Sequence, residues 1–198
     1  RSAVGSSCLG GAGGGNSSGS AGEAGTPQRG GSVVIDRSAE SQSMDKENVF
    51  DNESIWILEQ IMEPLYTVSP NGKGVVPWLA KSYTLSTDKK TYTFHLNPKA
   101  KWSDGQPVTA DDVIYTATAA DQNPEQYTGY SPTAWAEIDG AAAIKGTTQP
   151  LSGIKAIDPQ TVEITLAAPD SQFLTTLANA VHVILPKHVL EAVPPATW

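Results

Sequence analysis

One cysteine, Cys8, is all the thiol this 198-residue chain carries. A single thiol excludes an internal disulfide and any cysteine-rich metal site. Positive charge is also scarce. Lys and Arg number 13 against 21 Asp and Glu, for a formal net charge of −8. Nucleic acid rewards clustered Lys and Arg, as does an anionic lipid surface, so neither is an expected partner. No apolar run approaches the roughly 20 residues of a membrane helix, so no spanning helix is expected. Histidine is limited to His95, His182 and His188, and no two are spaced to share a metal-binding helix face. There is no G-x-S-x-G elbow, and no Gly-Lys-Ser/Thr follows a glycine-rich stretch. Asp111 and Asp112 are adjacent, and on a helix adjacent side chains diverge by about 100°. No catalytic residue, metal or cofactor is therefore assigned, and no internal repeat is present.

What the chain does have is concentrated between Lys81 and Ala119. Tyr92, Phe94 and Leu96 alternate with Thr91, Thr93 and His95, which predicts a strand with one apolar face. Tyr83 and Leu85 give the preceding strand a matching face. The polar run Thr87-Asp88-Lys89-Lys90 closes the hairpin. Without glycine there, a type I turn in a longer loop is expected rather than type I′. Ser103 to Pro107 is a second turn. Thr109 then caps a helix beginning at Ala110, with Asp112 three residues on completing a capping-box-like arrangement at the positive end of the dipole.

Elsewhere, residues 9–31 are rich in Gly, Ser and Ala and predict a flexible linker with a reach of about 25 Å. Ser32–Asp36 reads as a short buried strand, and 37–49 as a polar loop. A helix is expected over 52–63, with Ile55, Leu58, Ile61, Met62 and Leu65 on one buried stripe. Strand, turn and bend follow through Trp78, which with Trp102 is expected to pack in the core. A second hairpin pairs 153–157 with 161–166, where Val162, Ile164 and Leu166 alternate with polar residues. Helices are expected over 137–145, through Phe173 and Leu177, and from Pro186. A last strand is expected over Val181–Ile184. Between 123 and 135, Tyr127, Tyr130 and Trp135 stand among Gly129 and Pro132. Aromatics in a loop suit contact with an extended ligand, because they offer large area with few rotors.

Several of these runs carry a resemblance. The strand Tyr-Thr-Phe-His-Leu is followed by Lys101-Trp102-Ser103-Asp104-Gly105 and then by Pro107-Val108-Thr109-Ala110-Asp111-Asp112-Val113. Gly153-Ile154 with Thr161-Val162 and Pro186-Lys187-His188 come later, in the same order. The chain resembles bacterial extracellular solute-binding proteins of family 5, the peptide- and nickel-binding components of ABC importers. The resemblance implies an α/β fold with a mixed sheet, of the periplasmic-binding-protein type II-like kind. Residues 32–198 would be the N-terminal portion: part of lobe one with a small inserted domain, the second lobe lying outside this sequence. It implies capture of peptides without chemistry and delivery to a membrane permease by a monomer. A sugar ligand or a sensing role in signalling are the alternatives. The polar loop would frame the ligand through Arg37 and Glu40, and Tyr130 and Trp135 would approach it. Gly5, Ser6 and Ser7 before Cys8, with the linker after it, resemble the end of a lipoprotein signal. Residues 1–31 would then be a signal remnant, a lipid-bearing Cys8 and a spacer, placing the protein on the extracellular face of the membrane or in the periplasm.

Overall fold

The computed structural model of the chain describes residues 30–46, 49, 51–122, 132–179 and 181–193. It falls into two compact units, Arg1–Asp36 and Arg37–Trp198. In the first, residues 30–36 have no regular secondary structure, and Val34 is 91% exposed. The buried strand expected over Ser32–Asp36 is not formed. A strand satisfies its backbone groups through a neighbour, and no strand among the described residues pairs with this segment.

The second unit is built on one antiparallel sheet. Its strands are β3 (Ala80–Leu85), β4 (Thr91–Leu96), β5 (Ile154–Asp158) and β6 (Thr161–Thr165), in the spatial order β3-β4-β6-β5. Both hairpins form as their alternation predicts. Tyr92, Phe94 and Leu96 are buried on β4, as are Val162 and Ile164 on β6, and Phe94 pairs with Val162 across the join. The first hairpin closes through Ser86–Lys89: the Lys89 N–H donates to the Ser86 carbonyl at 2.9 Å, and Lys89 is left-handed at φ 60°. A four-residue turn with a left-handed last residue fits the longer loop expected there. β3 is the sheet's edge, so Tyr83 keeps the predicted face, 5.9 Å from the Phe94 ring, while remaining partly exposed. A separate two-stranded ribbon, β1 (Tyr66–Val68) with β2 (Val75–Pro77), precedes it.

Helix α2 (Ala110–Gln122) packs against the sheet through Val113, Ala117 and Ala120. Every residue of the main buried apolar cluster lies between Leu65 and Ile184. Helix α1 (Asn52–Ile61) stands outside it. Asp51 caps it, accepting the Ser54 N–H at 2.8 Å, but the expected stripe does not form a core face. Of that stripe only Leu58 within the helix is buried, while Ile61 is 65% exposed and Trp56 52%. Trp78 is likewise exposed rather than core, because it sits beside the short β1–β2 ribbon and not under the sheet.

Chain entry and exit of the core run side by side. Pro64 bridges Val183 in antiparallel fashion, and the Ile184 N–H donates to the Glu63 carbonyl at 3.1 Å. The strand expected over Val181–Ile184 reduces to that bridge. Proline cannot donate to a ladder, and the His182 N–H is already turned back onto the Asn179 carbonyl at 2.9 Å. The helix expected over 137–145 is also absent. Gly140 takes φ 86° and Ile138 is drawn into a bridge with Leu166, leaving one 3₁₀ turn at Ala141–Ala143. The remaining helices are short: α3 (Pro132–Trp135), α4 (Phe173–Leu177) and α5 (Lys187–Leu190).

Candidate functional site

Two buried polar centres lie in the second unit. The first is Asp112, 3% exposed at the start of α2. Its Oδ2 accepts the Thr109 N–H at 2.8 Å, the Thr109 hydroxyl at 3.0 Å and the Trp102 Nε1–H at 3.4 Å. Its Oδ1 accepts the Lys187 N–H at 2.9 Å. Part of this is the capping box read from sequence, in which the third helical residue reaches back to the cap. The hydroxyl, however, donates to the carboxylate instead of capping the helix, and the carboxylate also fastens α5, 75 residues away. One turn further along α2, the Thr116 hydroxyl accepts the Leu185 N–H at 2.9 Å. The exit segment 185–187 is thereby locked to α2.

Beside this centre lies an open cleft of about 270 Å³, lined by Gln106, Thr109, Asp111, Lys187 and Glu191 among others. Its charges answer one another. Lys187 stands 3.7 Å from Asp111 and 3.9 Å from Glu191, and His188 Nε2 is 2.8 Å from Asp104. The Gln106 backbone N–H, followed by His188, holds the Asp104 carboxyl below the usual carboxylate range. Exposed pairs of this kind contribute little to stability, and the lining carries more carboxylates (Asp111, Asp112 and Glu191) than cations (Lys187 and His188). Among the described residues no cluster of His, Cys, Asp and Glu is arranged to hold a metal ion.

The second centre involves Trp135, one of the sequence candidates. It is fully buried, its ring is edge-on to His182 at 6.1 Å between centroids, and its Nε1–H has no hydrogen-bond partner among the described residues. His182 is 1% exposed, and its Nε2 accepts the Ala134 N–H at 3.3 Å. Burial, reinforced by the charge of nearby Lys46, pushes its imidazole down to about 4. At the far end of α2, burial drives the Asp121 carboxyl up to about 6 against the attraction of Lys145.

Of the other candidates, Arg37 donates from its guanidinium to the Glu53 carbonyl, in the first turn of α1. Ser38 Oγ reaches the Glu53 carboxylate at 2.7 Å, and Ser54 Oγ accepts the Gln42 and Ser43 N–H groups at 2.9 and 3.2 Å. The polar loop is therefore laid across the start of α1. Glu40 remains exposed on it. Tyr130 and Cys8 lie outside the described residues. The geometry brings Trp135 and His182 together and leaves Arg37 and Glu40 on a different element. In the sequence His182 matches no metal-binding spacing. The signal available was a lone histidine inside the apolar run Val181–Leu185.

The sheet, its covering helix and its close structural neighbours define the class: a mixed α/β, type II-like portion of a periplasmic binding protein. *Haemophilus influenzae* OppA in complex with RPPGFSPFR superposes with a TM-score of 0.69 and 28% identity, covering 78% of this chain and 30% of that one. The chain belongs to the bacterial extracellular solute-binding proteins, family 5, whose middle-region model matches residues 74–194. Two *Escherichia coli* relatives are each 32% identical. The probable deoxycholate-binding periplasmic protein YgiS aligns over 75% of this chain and 28% of its own length. The periplasmic oligopeptide-binding protein OppA aligns over 80% of this chain and 29% of its own. The chain thus spans under a third of the length of these relatives.

Proposed function

We propose that this chain is the N-terminal portion of an extracellular lipoprotein that captures peptides for an ABC importer and delivers them to its permease. The observation that carries this reading is the likeness to a peptide-complexed OppA over 78% of the chain. Residues 32–198 form part of lobe one with its inserted small domain. Arg37, Glu40, Tyr130 and Trp135 lie on or beside the ligand path. Trp135 acts from beneath, as the buried wedge that sets the end of the aromatic stretch, since no face of its ring reaches solvent. Residues 1–31 tether the body to the membrane through acylated Cys8. Binding involves no covalent step, and the protein acts as a monomer.

The test is titration of the chain with a mixed library of short peptides, followed by backbone NMR. Shifts confined to 37–40 and 127–135 support the reading. Shifts with deoxycholate and none with peptide would move the ligand toward the class that YgiS is named for. In cells fed labelled fatty acid, the protein takes up label, and Cys8→Ser takes up none. Equal labelling of both removes the anchor.

A further inference from the structure

Three elements close on the ring of His182. From α3 comes the Ala134 N–H, 3.3 Å from Nε2, with the Trp135 indole edge-on beside it. From α4 comes the Thr176 backbone, though Nδ1 has no partner within hydrogen-bond distance among the described residues. From the polar loop comes Lys46, itself buried. Helices α3 and α4 contain no ionisable side chain, so Lys46 is the charged group that these elements turn toward the ring. A ring nitrogen that accepts a hydrogen bond carries no proton, so His182 is neutral with its proton on Nδ1. The Ala134 N–H belongs to the opening turn of a four-residue helix, where no intrahelical acceptor exists. Ala134 is fully buried, so without Nε2 that donor is left unpaired away from water.

We infer that His182 is the positioning residue of the α3 end of the aromatic stretch: its neutral imidazole, accepting at Nε2, pins Ala134 and Trp135 in place. The ligand consequence rests on the reading of Tyr130 and Trp135 as contact residues, whereas the pin does not. Charging the ring removes the acceptor and sets a second positive charge beside Lys46, so protonation and loss of the side chain release the same element.

The experiment uses the full 198-residue chain labelled with ¹⁵N-histidine. Long-range ¹H–¹⁵N spectra at neutral pH are expected to show the Nδ1–H tautomer for His182. An Nε2–H tautomer, or a charged ring, overturns the inference. His182→Leu is expected to raise amide exchange at Ala134 about tenfold relative to Phe94 and Val162, and His182→Gln, which restores an acceptor, to recover much of that. Acceleration of all three amides in equal proportion, or no rescue by Gln, would mean that the ring only fills space and would overturn it. In the wild type, the protection of Ala134 relative to Phe94 falls as acid titrates His182, and in His182→Leu it is flat. A parallel peptide titration separates the two claims: failure of the wild type to bind removes the function proposed above, while the pin is judged on these spectra alone.

Discussion

Replacing Asp112 tests the joint between α2, the 102–107 turn and α5. Asp112→Ala leaves the Thr109 N–H and the Lys187 N–H without their acceptor, and strands the Trp102 indole N–H as well. The Thr109 hydroxyl can rotate to a new partner. A partly buried donor left unpaired costs about 1–3 kcal/mol. Two such donors, with a smaller share for the longer indole contact, put Asp112→Ala at about 3–5 kcal/mol. Asp112→Asn keeps one good acceptor. With its oxygen turned toward Thr109, where three of the four donors converge, its NH₂ faces the Lys187 N–H, and one bond becomes a donor–donor contact. That variant is expected to lose about 1–2 kcal/mol. Urea unfolding at neutral pH reads both as shifts in midpoint at constant slope. The reasoning is refuted if Asp112→Ala lies within about 0.5 kcal/mol of wild type, the scatter of an ordinary surface change. It is refuted equally if Asn costs as much as Ala, because negative charge would then matter and the count of bonds would not.

Other perturbations follow from single groups. Asp121 titrates near 6 in the fold and near 3.8 unfolded, so its charge opposes folding above pH 6 and the penalty fades as pH falls toward 3.8; Asp121→Asn should raise the melting temperature at pH 7 and have no effect below pH 4. His182 has the opposite sense, folded near 4 against an ordinary 6.5, so its contribution is complete above pH 6.5 and is lost as pH falls toward 4, and His182→Leu should flatten that part of the stability–pH curve. Gly153→Ala would place its Cβ 2.5 Å from the Asp139 carbonyl oxygen and 2.7 Å from Ile138 Cγ2, so urea unfolding should show a loss of about 2 kcal/mol or more in unfolding free energy. Hydrogen exchange should show β4 and β6 opening only with the whole core, while the amides of α1 exchange through a local opening about 2 kcal/mol or more easier; equal protection would mean that α1 belongs to the core.

Local periodicity carried much of this fold. The alternation in β4 and β6 and the longer loop of the first hairpin are set by neighbours a few residues away, and the structure shows them as expected. The lateral join of β4 to β6 is a contact across some 70 residues, with Phe94 opposite Val162, and no local pattern announces it. The misreadings share a cause. Ser32–Asp36 has the apolar content of a strand but takes no regular secondary structure; α1 has the apolar content of a buried element, but burial depends on what lies against it, and the core between Leu65 and Ile184 does not. In 137–145 a single left-handed glycine outweighed an alanine-rich helical pattern. The site divides in the same way. Asp112 was legible as a helix cap because the cap is local, whereas its bond to Lys187 was not. Trp135 stands out as an aromatic in a loop-like stretch, yet it is buried in the core, with its ring edge-on to His182, a residue distant in the sequence.

The most direct test of a peptide carrier is native mass spectrometry on the protein purified from its own cells without refolding. The account predicts co-purified masses of a few residues' size that leave on denaturation, and recapture of such peptides after they are stripped. A ligand-free mass that remains ligand-free in the presence of mixed peptides would contradict it.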